Sequence, residues 1–380
     1  MTPTTPTTPA SPAPPGTPAA RWITREAFAA DGAADGPGTA RGLLLVSPDA
    51  DVVAPLAEPD RAAALDIAAA TLAAAGVSAD DRVVVALNND GELTGALIAR
   101  AAAEIAAAAA AVGPRGRLRL HRALEAVRAT TLIITPTGAM DFLARLHLEF
   151  LLDPLDLELS RILLVGEIPS PGCPAHLAAE FEAAVAEVYA DPFFGLPIAH
   201  RAAAGPFLTP ARAGLLAAAP PDKDLILDPP YPDGLAELVV TPAWHSSLAG
   251  AVLRTGQLAR GGGDGIPAPA HTAGEHVLVR GRWVSIPRVA AALAAIDGIT
   301  HWDLRISREG TLDAAAVHVT FGRDTLVANP MWRGRIVQAL AAITPVAIDV
   351  VVEEQTSAAV RPGSVTDLRG HHLGRDRTKL

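Results

Sequence analysis

Three short apolar runs constrain this chain most: Arg82 to Leu87 (RVVVAL), Thr130 to Ile134 (TTLII) and Arg161 to Val165 (RILLV). Each is shorter than a helix needs, and the last two stop at Thr135–Pro136 and at Gly166, so they read as strands buried on both faces. Helical segments stand between and around them. Asp60 to Ala75 is Ala-rich without Gly or Pro and closes at Gly76, Leu93 to Val112 and Leu118 to Arg128 read as helices, and so does Asp141 to Phe150. Ala175 to Ala186 is a further helix, leading to a strand at Glu187 to Tyr189. Strand and helix in alternation imply an α/β fold with a mostly parallel sheet covered by helices on both faces.

From Asp224 the texture changes. Leu225 to Leu227, Glu237 to Thr241 and Gly250 to Arg254 read as strands between Pro- and Gly-rich turns, a small β-rich lobe. The stretch RGGGDGIPAPAH then has the most flexible composition inside the chain. Beyond it, strands at 276–280, 301–307, 315–321 and 347–352 and helices at 287–295 and 330–342 make a compact α+β unit. The expected layout is a disordered Pro/Thr-rich tail over 1–20, an N-terminal domain over 21–260, a hinge over 261–270 and a small C-terminal domain over 271–380.

Composition narrows the partners. A formal net charge of -10 argues against nucleic acid, which needs a cationic face. The Arg-rich stretches Arg115 to Arg128 and Arg369 to Lys379 read as solvated surface. The most apolar run, Ala101 to Val112, is broken by Glu104 and too short to cross about 30 Å of hydrocarbon, so no membrane is expected. One cysteine, Cys173, excludes an internal disulfide and a Cys-based zinc site and fits a reducing cytoplasm. Its PSPGCP context reads as a turn.

Several ordered segments carry a more specific signal. LRTGQLAR, Leu253 to Arg260, resembles the YRTGDLAR signature of acyl-adenylate-forming enzymes; RATTLIITPTGAMDFLA, from Arg128, resembles GATVLCCTPSYALYLAE; VLVRGRWVSIPRVAAAL followed by REGTLDAAAVHV resembles IIRGVNVFPSQIEEVL followed by REGTLDELTVRV. Gly166, Glu167, Ile168 and Pro169 look like a GGEP turn. Together they resemble the phenylacetate-CoA ligase branch of that superfamily. The resemblance implies a large N-terminal adenylate-forming-type domain, here truncated, and a small C-terminal domain.

Four positions depart from what the resemblance implies for nucleotide binding. Where SSGTTGKPTVV is expected stands LLLVSPDADVV, with Ser47, Pro48 and Asp49 but no glycine; a phosphate loop works through Gly N–H donors, and its carboxylates would repel a triphosphate. In FFGLPI, Pro197 and Ile198 replace the hydroxyl and the Mg²⁺-binding carboxylate of YGLTE. Gln257 follows Arg254, Thr255 and Gly256 where an Asp should hold the ribose hydroxyls, and Arg361 stands for the C-terminal catalytic lysine. Taken together, these changes lead to the expectation that no cofactor is required and that ATP and Mg²⁺ are not used.

The function expected on that basis is ATP-independent handling of an aromatic or polyketide-type acyl thioester of CoA or phosphopantetheine. Alternatives are a non-catalytic scaffold and an active aryl-CoA ligase with an atypical nucleotide site. An acyl carrier protein or polyketide synthase component would be the protein partner, and a homodimer is left open. His200 and His245 are the candidate acid/base groups, with Ser246 and Ser247 beside the second. Tyr189, Phe193, Phe194, Gly195 and Trp244 are the candidate pocket wall, while His371, His372 and Arg375 read as a solvated tail.

Overall fold

The computed structural model describes residues 20–28, 42–47, 53–90, 93–202 and 205–380. The expected tail over 1–20 lies almost wholly outside these residues, as do Pro48 and Asp49. At the centre is an eight-stranded sheet in which Ala108–Ala111, Arg82–Ala86, Thr131–Ile134, Arg161–Val165 and Ala184–Ala190 lie side by side in parallel. Pro197–Ala202, Phe207–Pro210 and Ile266–Pro267 continue it antiparallel. The apolar runs at 82–87, 130–134 and 161–165 form three adjacent strands of it.

Their double burial is visible residue by residue. Val83, Val85, Ile133, Leu163 and Val165 enter the core on one face, with helices Glu58–Ala74 and Gly95–Ala103. Val84, Ala86, Leu132, Ile134, Ile162 and Leu164 enter the other, under Arg117–Val127, Pro136–Arg145 and Cys173–Phe181. Side chains alternate across a strand, so a run apolar at every position must be covered twice. Each such side chain contributes about 1.5–3 kcal/mol by leaving water.

One sequence expectation fails here. The helix expected from Leu93 to Val112 ends at Ala103, and Ala108–Ala111 is instead an edge strand beside Arg82–Ala86. Alanine favours helix only weakly, and the free edge of the sheet offers four residues a hydrogen-bonded partner strand that outweighs the preference.

A second sheet packs against the first core. Its long strands Tyr231–Val240 and Ala251–Gly263 pair antiparallel, flanked by Leu216–Ala219 and, in parallel, by Arg21–Ile23. Leu225 to Leu227 forms only a single bridge, Leu227 to Ala218. A separate core fills residues 277–352, where the hairpin Ile299–Glu309/Leu312–Phe321 is flanked by Ile348–Val352 and Ser364–Asp367 and covered by helices Ile286–Ala294 and Pro330–Ala341. No described helix is long and apolar enough to cross a membrane.

Candidate functional site

The parallel strands all end at one edge of the sheet, where ligands of α/β folds collect. There Thr135 caps helix Pro136–Arg145 by accepting from Gly138 N–H at 3.1 Å. Glu167, just after the left-handed Gly166, accepts from the Thr137 N–H and hydroxyl, both at 2.9 Å. Burial raises the Glu167 carboxyl above the usual carboxylate range, and these hydrogen bonds oppose the rise. Asp191 is fully buried and pushed up to about 6; one carboxylate oxygen accepts from Phe193 N–H, and Oδ2 has no partner.

The second sheet contributes the RTGQ strand. Glu237 pairs with Leu258 and Val239 with Arg254, so one residue, Leu238, faces three, Thr255 to Gln257. This is a β-bulge, which bends a strand and re-aims its side chains. Gly256 sits in it at φ +75°, and a Cβ there would stand 3.1 Å from the Ala273 carbonyl oxygen, so the position requires glycine. Thr255 locks the bulge by donating to Leu238 O at 2.7 Å and accepting from Gln257 N–H at 3.0 Å.

The bulge places Gln257 on a cleft shared with Pro136, Gly166, Glu167, Tyr189 and Ala190, an opening of about 410 Å³ that includes open solvent. Gln257 is 8% exposed, and its Oε1 is buried without a hydrogen-bond partner. An orphan acceptor of this kind costs about 1–3 kcal/mol unless a ligand or water donates to it. A second void, between the N-terminal turns of helices Pro136–Arg145 and Cys173–Phe181 and the hairpin tip, is lined by Thr137, Cys173, Arg308 and Gly310. Cys173 is buried at the first turn of its helix, not exposed in a turn, and burial pushes its thiol up to about 11.

Arg254, the first residue of the motif, is structural. Its side chain pairs with the fully buried Glu237 at 2.5 Å and with Asp224 at 2.9 Å, donates to backbone carbonyls of Pro220 and Lys223, and lies over the Trp22 ring. Glu237 also accepts from Gly256 N–H at 2.8 Å, which ties the bulge to the ion pair.

Of the other sequence candidates, Tyr189 lines the cleft with Gln257, whereas Phe193, Phe194 and Trp244 pack into the core, Phe28 edge-on to Phe193 and Phe194, and Trp244 edge-on to Phe194 and His245. Gly195 turns the chain behind them at φ +65°. Pro197 and Ile198 open a buried strand of the main sheet, with Ile198 1% exposed. Ser47 ends the strand Leu43–Val46. His245 is held away from the cleft: its Nε2 donates to Pro55 O at 2.9 Å, and Nδ1 faces the Ser247 hydroxyl at 3.2 Å, while Ser246 binds Asp60. His200 lies on the antiparallel strand beyond the cleft wall, its Nδ1 buried without a partner. Arg361 is exposed, its N–H on Thr300 O; along the strand to Arg308, the end that reaches the second void, the path is about 26 Å. His371 and His372 are not a solvated tail: both are half-buried, and His372 Nδ1 meets Thr272 Oγ1 at 3.2 Å.

Burial depresses His372 to about 4 from an ordinary 6.5. The folded chain therefore binds fewer protons than the unfolded chain between those values, and stability falls as pH drops from about 6.5 toward 4. His200, His245 and His371 shift in the same direction, and Asp191 opposes them. Urea midpoints measured at pH 7 and pH 5 should show the loss, and His372→Gln should flatten the slope.

No protein-family model and no curated protein sequence matches the chain. Solved structures do. A 2-hydroxyisobutyryl-CoA ligase, in complex with 2-HIB-AMP and CoA in its thioesterification state, superposes with a TM-score of 0.74 at 14% identity over 92% of this chain and 80% of its own. The fold is that of the adenylate-forming CoA ligases. The same ligase in postadenylation states gives 0.53 and 0.55, so the arrangement of this chain is closer to the thioesterification state. A malonyl-CoA ligase with methylmalonyl-CoA and AMP bound gives 0.58 at 15% identity over 80% of this chain and 68% of its own. The o-succinylbenzoate CoA synthetase of Bacillus subtilis gives 0.62 at 11% over 83% and 66%. These neighbours are complexed with AMP, an AMP ester or CoA compounds, which counts against the expectation that no cofactor is required and that ATP and Mg²⁺ are not used.

Proposed function

We propose that this chain works as an acyl-CoA ligase with an atypical nucleotide cleft, forming an acyl adenylate and passing the acyl group to the thiol of CoA or of a carrier-bound phosphopantetheine. A carboxylate oxygen attacks the α-phosphorus of ATP and pyrophosphate leaves; the thiolate sulfur then attacks the acyl carbon and AMP leaves. The observation that carries this reading is the orphan Gln257 Oε1, a buried acceptor on the cleft at the strand ends. As a neutral amide oxygen it would accept one hydrogen bond from a ribose hydroxyl, weaker than the charge-assisted pair a carboxylate makes. A divalent cation needs oxygen ligands, and the Ile198 side chain has none; among the described residues the carboxylates that line this cleft are Glu167 and Glu187. The phenylacetate-CoA ligase resemblance favours aromatic or polyketide-type acids, a substrate class that rests on that resemblance alone.

Incubation with ATP, Mg²⁺, CoA and a panel of aryl and short branched acids should release AMP and yield an acyl-CoA with at least one acid. Absence of AMP release with every acid, by a folded preparation, would refute the proposal.

A further inference from the structure

The end of the chain returns to the connector between the two lobes. Thr272 N–H donates to His371 O at 2.7 Å, Thr272 O accepts from Leu373 N–H at 2.9 Å, and Gly274 N–H donates to Gly374 O at 2.9 Å. Residues 371–374 thus lie parallel to 272–274. On the opposite side, Thr272 and His271 pair with Gln257 and Leu258 of the bulged strand. The connector is clamped between the cleft-forming strand and the C-terminal tail.

The tail is anchored at both ends. At its root Arg369 is buried against Asp313 and Asp367 and donates to Leu278 O at 2.8 Å, all within the small lobe. Farther on, Arg375 pairs with Glu275 at 2.7 Å, and Arg377 reaches the other lobe, 3.2 Å from the fully buried Glu237. Gly274, at φ +99°, lets this happen: a Cβ there would stand 3.0 Å from the Arg377 guanidinium.

We propose that residues 370–377 are a strap that holds the two lobes of the ligand-free chain in the arrangement seen here, with Arg377 on Glu237 as a releasable latch. Only Ala273 to Glu275 lie between the strand His271–Thr272 and the first strand of the small lobe, His276–Val279, and lobes joined by one short segment move unless something holds them. The strap supplies backbone pairing along the connector and a charge-assisted bond whose acceptor is already out of water. The latch carboxylate also holds Arg254 and the Gly256 N–H, so seating the tail and shaping the RTGQ bulge are one event. This inference concerns lobe arrangement and does not depend on the ligase reading.

The test is a distance measurement between spin labels at Arg122→Cys in one lobe and Val360→Cys in the other, both exposed positions, in a Cys173→Ser chain. The full chain should give one narrow distribution, unchanged in Lys379→Ala. A chain ending at Arg369, and the Arg375→Gln/Arg377→Gln chain, should each add a broad second population of about a tenth or more. Distributions as narrow as the parent's in both would overturn the strap. If the shortened chain does not fold, the double substitution decides alone. No turnover is read, so failure of the ligase reading leaves the result intact.

Discussion

Replacing Arg254 by alanine should lower the unfolding free energy by about 3–5 kcal/mol, the cost of stripping the partner from a buried charge. Glu237 is wholly buried and would keep only Arg377 and the Gly256 N–H; Arg254 itself leaves behind Asp224 and several backbone carbonyls. The effect is read from urea melts at pH 7. Arg254→Met with Glu237→Gln should recover part of the loss, because the wholly buried carboxylate goes together with its main partner, and the charges left over, Asp224 and Arg377, both reach solvent. A loss below about 1 kcal/mol for Arg254→Ala, the range of an exposed pair, would show that the network is not what holds the strand.

This residue also marks where sequence reading runs out. The RTGQ motif is visible in the chain, and it places Arg254 in a nucleotide site. Its partner Glu237 lies 17 residues away in an apolar strand, where the one available signal was a charged residue inside a run destined for burial. The three adjacent strands were legible because β-branched runs buried on both faces have few alternatives. Ala108–Ala111 was not, because alanine says little about partners and an edge strand is defined by its neighbour. The bulge that aims Gln257 exists only in the register between two strands. The C-terminal arginines looked solvated for the same reason: Glu275 and Glu237 lie about 100 and 140 residues earlier.

The site candidates divide along that line. Tyr189 and Gln257 stand on the cleft, Tyr189 near a strand end that the α/β pattern brings to one edge, Gln257 at the bulge of the strand Ala251–Gly263. His245 looked like a base beside a serine; its Nε2 proton is committed to Pro55 O, a contact 190 residues apart that no local pattern encodes.

The second large effect concerns the cleft. Gln257→Leu keeps the volume and removes the orphan acceptor, so it should leave fold stability nearly unchanged or slightly higher while weakening an adenylate. Losing one buried hydrogen bond of about 1–3 kcal/mol corresponds to roughly 5- to 150-fold in affinity. Truncating Tyr189 would disturb the same wall but would also remove a buried ring, so Gln257 is the cleaner position.

Calorimetric titration of a non-hydrolysable acyl-adenylate analogue, an acyl sulfamoyl adenosine, into the parent chain and into Gln257→Leu is the most direct measurement. An adenylate cleft built on Gln257 predicts saturable 1:1 binding to the parent, weakened by roughly 5- to 150-fold in the variant with its melting temperature preserved. No binding to the parent, or equal affinity in both chains, would contradict it.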